Sequence, residues 1–187
     1  MGPRPEKLSV ENLPFDSVPP GLRREAVILT NRVWPLKGPL EENIARCLAE
    51  KAPDTDAMSQ VIWHVMREDG VVVAMAKTFR RIVATDGGER FPVLALAGVL
   101  ANPDFRGRGY GRQVVAMAWA RLNPDLPVSF FQTGVPAFYE RMGARLVSNR
   151  IYDSTGADCA FWEPHAMIYP AHAPWSADAI DLLGRGW

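Results

Sequence analysis

Cysteine is scarce in this chain of 187 residues: only Cys47 and Cys159 occur, far apart, with no C-x-x-C pair and no histidine at ligand spacing. That pattern excludes a disulfide-stapled miniature and a thiolate metal centre, so no metal is expected. It predicts reduced thiols in a cytoplasmic protein. Net charge is lacking as well, with 21 Lys and Arg against 21 Asp and Glu. A nucleic-acid-binding domain would show a basic excess, so no nucleic-acid partner is expected. No run of 18 apolar residues exists to span a membrane, and the first 11 residues lack the basic-then-apolar order of a signal peptide. Neither internal repeats nor low-complexity tracts occur. What remains is a chain long enough for one core that buries roughly 70% of its unfolded surface without a staple.

Residues 1–20 carry Pro3, Pro5, Pro14, Pro19 and Pro20 and little periodicity, which predicts an extended lead-in or an arm on the domain. Leu22, Ala26, Leu29 and Val33 recur at helical spacing before Pro35. A second helix is expected over 40–51, with Leu40, Ile44, Cys47 and Leu48 on one face and Glu41 and Glu42 at its positive end. Residues 61–67 and 71–83 read as strands joined by Glu68-Asp69-Gly70, a hairpin signal. Thr85-Asp86-Gly87-Gly88 is the next turn. Residues 91–101 are almost wholly apolar, as befits a central strand covered on both faces. A helix over 109–122, a strand over 127–132, and a short helix over 137–142 closed by Gly143 follow. Two more strands are expected around 145–152 and 159–168.

Between the central strand and its helix lies Phe105-Arg106-Gly107-Arg108-Gly109-Tyr110-Gly111. Glycines at alternate positions permit positive φ and let a ligand approach the backbone. The helix behind them aims unpaired amides and its positive dipole end at the same point, and Arg106, Arg108 and Arg112 add charge. These residues predict a pyrophosphate site. A nucleotidase loop requires Lys-Ser or Lys-Thr after its glycines, and none is present. A dinucleotide fingerprint requires G-x-G-x-x-G and an acidic residue on the next strand, whereas here the spacing is G-x-G-x-G and 127–132 holds no carboxylate.

The run resembles Arg/Gln-x-x-Gly-x-Gly/Ala, the acetyl-CoA loop of the Gcn5-related N-acetyltransferase (GNAT) superfamily, at Arg106, Gly109 and Gly111, with Gly107 at a commonly glycine position. The element order agrees over about residues 20–168. The resemblance implies a mixed α/β (α+β) fold: a mostly antiparallel central sheet flanked by helices, with one βαβ crossover at the CoA loop. It further implies that Arg106, Gly107, Arg108, Gly109, Tyr110, Gly111 and Arg112 hold the pyrophosphate of acetyl-CoA. Backbone groups of Val99, Leu100 and Ala101 would pair with the pantetheine arm. Ala137-Phe138-Tyr139-Glu140-Arg141-Met142-Gly143 resembles the family's F-Y-x-x-x-G segment, which assigns Tyr139 as the acid that protonates the leaving thiolate.

Acetyl transfer also requires a neutral amine, and lysine-type amines titrate near about 10.4. Many family members place a glutamate on the central strand for this purpose. Leu94-Ala95-Leu96-Ala97-Gly98-Val99 contains no acid, Ala97 standing where the glutamate is expected. His64, Asp104, Glu163 and His165 are the weaker candidates elsewhere. At the C-terminal end, Trp162-Glu163-Pro164, Trp175 and the Ile180–Trp187 stretch resemble aminoglycoside 2'-N-acetyltransferases and nodulation N-acyltransferases. From the missing acid, Asp181 and Trp187 with its α-carboxylate are expected to bind a cationic acceptor.

The expected organisation is a lead-in over 1–20, an acyltransferase domain over 21–168 and a packed tail over 169–187. The expected function is acetyl-CoA-dependent N-acylation of a small amine or amino sugar; the alternative is a catalytically weak acyl-CoA sensor of the same fold. A small-molecule amine is the expected partner, and a homodimer is left open.

Overall fold

A computed structural model describes residues 7–155, 161 and 164–187. Its elements in chain order are β1 (Leu8–Pro14), α1 (Pro20–Val33), α2 (Leu40–Ala49), β2 (Met58–Glu68), β3 (Val71–Thr85) and β4 (Arg90–Ala101). There follow α3 (Tyr110–Trp119), β5 (Ser129–Thr133), α4 (Pro136–Glu140), β6 (Arg145–Val147), β7 (Ile151–Tyr152), β8 (His165–Tyr169) and β9 (Ile180–Asp181). The strands form an open, largely antiparallel sheet in the order β1-β2-β3-β4-β5-β8-β6, with β9 pairing with β3 and β7. The parallel pairs are β4–β5, which closes the crossover through α3, and β7–β9. This is the mixed α/β architecture expected from the element order.

The chain divides into two compact units, residues 1–52, 61–77 and 98–118 in the first and 53–60, 78–97 and 119–187 in the second. In the first, α1 starts on Pro20, whose fixed φ suits a helix start, and ends where the Trp34 N–H closes on Thr30 O (2.7 Å) ahead of Pro35. Leu22, Ala26, Val27 and Leu29 are buried. Burying one such leucine fully stabilises the fold by roughly 1.5–3 kcal/mol. Arg23 is buried too: its guanidinium donates to the carbonyls of Phe15, Val18, Cys47 and Glu50, tying α1 to the end of α2. Asp69 and Gly70 both take positive φ (48° and 86°), as a tight β2–β3 hairpin requires.

In the second unit, Val93–Leu96 of β4 are all buried, which explains why this strand has no polar face. Val83, Val93, Phe130, Ile168, Ile180 and Leu182 form its core, with Trp175 and Trp187 packed on the rim.

Several local expectations need correction. Part of the lead-in is β1, an edge strand in antiparallel register with β2 from Leu8↔Glu68 to Pro14↔Ile62. On α2 the buried residues are Asn43 and Ile44, whereas Leu48 is exposed, because the helix ends at Ala49 and its last turn turns outward. α3 stops at Trp119, so Leu122 lies past it in the turn that Asn123 caps. The single strand expected at 145–152 is broken into β6 and β7, with the Asn149 amide bonded to the Ser176 and Asp178 carbonyls between them. Cys159, Trp162 and Glu163, and most of the expected start of β8, lie outside the described residues.

Candidate functional site

In the first unit the loop is anchored before it begins. Asn102 ends β4 buried: its N–H donates to Val73 O (2.9 Å) and its Nδ2 to Val72 O (3.0 Å), while its Oδ1 accepts from the Asp104 N–H (3.1 Å). Arg32 of α1 adds an ion pair to Asp104 (2.9 Å). Gly107 and Gly109 then adopt φ of +80° and +78°. A Cβ on Gly107 would meet nothing within 4 Å, and one on Gly109 only the Gln113 side chain at 3.9 Å. Backbone conformation, not crowding, therefore demands glycine here. The Gln113 N–H closes on Gly109 O (3.1 Å); the amides ahead of it in the first turn have no intrahelical acceptor and face the loop's concavity. Arg106 and Arg112 are exposed and make no ion pair or hydrogen bond with a described residue. Two left-handed glycines, a helix start and two unengaged guanidiniums suit a pyrophosphate.

Arg108 differs from its neighbours. Its Nη1 donates to both carboxylate oxygens of Glu68 on β2 (2.8 and 2.9 Å), and its guanidinium lies 5.3 Å from the Phe105 ring centroid. Expected among the phosphate-holding cations, it is bound within the chain instead.

Upstream, Gly98 interrupts β4 with φ +55°. The parallel ladder to β5 comprises Leu94↔Ser129 and Ala95↔Phe130, and Val99, Leu100 and Ala101 follow the interruption. A strand leaving its ladder presents free backbone donors and acceptors, the kind of edge an amide-bearing arm can extend.

In the second unit Tyr139 on α4 is buried among aromatic rings: Phe131 at 4.7 Å, Phe138 at 4.8 Å and Trp119 at 6.3 Å between centroids. Trp119 in turn stacks on Tyr169 at 3.7 Å and 4°. Burial pushes the Tyr139 phenol well above its ordinary value, so it keeps its proton through neutral pH. Its hydroxyl makes no hydrogen bond to a described residue. Pro136 starts the helix and Gly143, at φ +90°, ends the turn, as the segment's spacing suggests.

The remaining candidates are scattered. His64 is fully buried with Nδ1 2.6 Å from Asn12 Oδ1, Asp104 is paired with Arg32, and His165 starts β8. Asp181 is buried, and its Oδ1 accepts from the backbone amides of Ser154 (3.0 Å) and Leu183 (2.8 Å). Burial acts to raise its carboxyl, but those hydrogen bonds and the Arg81 charge outweigh it and hold the group below the ordinary range. Trp187 meets Phe79, Phe130 and Phe161 edge-on, lies 5.3 Å from the Arg81 guanidinium, and its carbonyl accepts from the Gln132 amide. Asp181 and Trp187 thus hold the tail in place. Glu68 and Asn102 are the residues that sequence reasoning missed. Asn-Pro-Asp is a recognisable turn signal for Asn102, whereas nothing local marks Glu68.

Residues 32–147 match the family model of the acetyltransferase (GNAT) domain. The chain belongs to this family and is an acyltransferase. Solved structures agree at the level of fold. Escherichia coli ElaA is 15% identical with a TM-score of 0.55, over 87% of this chain and 99% of that one. Aminoglycoside N-acetyltransferase AAC(6')-Iy, in complex with CoA, is 20% identical with a TM-score of 0.53, over 76% and 87%. A GCN5-related N-acetyltransferase from Kribbella flavida is 16% identical with a TM-score of 0.51; the match covers 75% of this chain but a third (33%) of that one. No curated protein matches in sequence. Among the described residues no helix is long and apolar enough to cross a membrane, and no cluster of His, Cys, Asp or Glu could hold a metal ion.

Proposed function

We propose that the chain transfers an acetyl group from acetyl-CoA to the amine of a small molecule. The loop at Gly107 and Gly109 carries this reading, because two left-handed glycines lead straight into the N-terminus of α3. Its amides, with Arg106 and Arg112, would hold the pyrophosphate, and backbone groups of Val99, Leu100 and Ala101 the pantetheine arm. Bound acetyl-CoA supplies the activated acyl group as a thioester. Tyr139, protonated and with its hydroxyl unengaged, would hold the proton destined for the leaving sulfur, a role worth about 10²-fold or more for a positioned acid. Asp181 and Trp187 we read as packing of the tail, which leaves acceptor recognition to other residues.

Calorimetry with CoA and thiol release from acetyl-CoA across a panel of primary amines test this function. Binding together with amine-dependent thiol release is the expected outcome. A chain that binds no CoA sinks it.

A further inference from the structure

Two hydrogen-bond donors in the first unit lack acceptors and lie together. Lys77 on β3 is partly buried, and its ammonium has no hydrogen-bond acceptor or ion-pair partner among the described residues. Its stem runs past the β4 interruption: a Cβ on Gly98 would stand 4.0 Å from Lys77 Cγ and Cδ. Its Nζ sits 4.1 Å over the ring of Trp63 on β2. Trp63 is 1% exposed, and its buried Nε1 has no partner. An indole face compensates only part of what an ammonium loses on leaving water. A donor pair of this kind calls for acceptor oxygens.

The surrounding groups do not provide them. Arg23 faces the spot from α1 as a second cation, already committed to four backbone carbonyls. Cys47 on α2 has its thiol pushed up by burial, so it stands neutral. Glu50, just past α2, is exposed and not within ion-pair distance. Burial, with Arg23 helping, lowers the Lys77 amine against the opposing pull of Cys47 and Glu50. An anionic ligand would reverse that imbalance.

Position says what the ligand is. If residues 106–112 hold the pyrophosphate and the pantetheine arm runs back from Ala101 to Val99, its reacting end arrives at Gly98, beside the Lys77 stem. The acid-free stretch from Leu94 to Val99 offers nothing to a cationic acceptor there. We propose that Lys77 Nζ and Trp63 Nε1 bind the carboxylate of the acceptor, so that the substrate is an amino carboxylic acid rather than a polycation. This rests on the acetyltransferase function proposed above. A carboxylate fits better than a phosphate, because one lysine matches one negative charge and a phosphomonoester carries closer to two.

The test compares free amino acids with their amides, alongside ethanolamine, O-phosphoethanolamine and spermidine, by thiol release from acetyl-CoA. At least one amino acid should exceed its amide by about tenfold or more in kcat/KM. Lys77→Gln should bring that acid-to-amide ratio down towards one, mainly through KM, and Trp63→Phe should lower it in part while keeping the ring. Peptide mass spectrometry of Lys77 after acetic anhydride labelling gives a readout without turnover: N-acetyl amino acids should protect it and spermidine should not. Calorimetry with CoA separates the two levels, since lost CoA binding in the wild type condemns the enzyme function whereas labelling still judges the subsite. Equal turnover of acids and amides, preference for O-phosphoethanolamine or spermidine, an unchanged ratio in Lys77→Gln, or absence of protection each overturns the proposal.

Discussion

The Glu68 carboxylate, 4% exposed at the end of β2, receives Arg108 Nη1 on both oxygens at 2.8 and 2.9 Å, fastening the glycine loop to the sheet forty positions away. A buried carboxylate left without its cation is destabilising, so this contact fixes where the loop runs. Because the Arg108 side chain is 46% exposed, its worth is discounted to about 1–2 kcal/mol. A double-mutant cycle with Glu68→Gln and Arg108→Gln, followed by urea unfolding, should return a coupling of that size. CoA affinity discriminates further. If Arg108 positions the loop, both single variants weaken CoA by a similar factor and the double variant is no worse. If Arg108 grips phosphate directly, Arg108→Gln alone weakens binding.

Gly109 tests the loop without touching its surroundings. At φ +78° any L residue is strained, a β-branched one most, by about 1–3 kcal/mol, although space for a side chain exists. Gly109→Val is expected to raise the CoA Kd about tenfold or more in calorimetry, with an unchanged far-UV spectrum, because the site is exposed and outside the core. Unaltered affinity would remove the pyrophosphate from this loop.

Tyr139→Phe is expected to lower kcat about 10²-fold while CoA affinity holds. The phenol's raised pKa has a consequence for stability as well. An unfolded tyrosine titrates near about 10, whereas the buried one stays neutral beyond that value. The contribution is therefore fully present below about pH 10 and is lost as pH rises from there towards the folded value. Urea midpoints of the wild type should fall more steeply above about pH 10 than those of Tyr139→Phe. Parallel slopes would place the phenol in water.

Legibility in the sequence followed the range of each interaction. The glycine loop, the Asp69-Gly70 hairpin and the Pro136-to-Gly143 helix were legible because each depends on φ or on spacing within a few residues. β1 was not, since both faces of an edge strand are largely exposed and no alternation marks it. β9 spans two residues, too few for periodicity to register, and the Ile180 and Leu182 side chains are buried by partners more than a hundred positions away or on the far side of a loop. Glu68 looked like part of a turn, and Lys77 like an ordinary lysine inside a strand. What those two do is decided by neighbours that no local pattern predicts.

The last contact to test is the clamp on that tail. Arg81, buried on β3, donates from Nε and Nη2 to Leu182 O (3.1 and 2.8 Å) and from Nη2 to Arg185 O (3.3 Å). Gly184 passes so close, at φ +151°, that a Cβ there would stand 2.6 Å from Arg81 Nη2. No real Cβ tolerates that contact, so in Gly184→Ala the guanidinium must leave its carbonyls. Losing hydrogen bonds from a charged donor and leaving acceptors unmet should destabilise the chain by about 2–3 kcal/mol. Arg81→Met removes the same bonds and is expected to cost a similar amount. Combined, the two should cost little more than Arg81→Met alone, since the alanine then has no guanidinium to displace and only its backbone strain remains. Urea unfolding of the four proteins measures this. Additive losses would mean that Gly184 and Arg81 act independently, and the clamp would be no more than proximity.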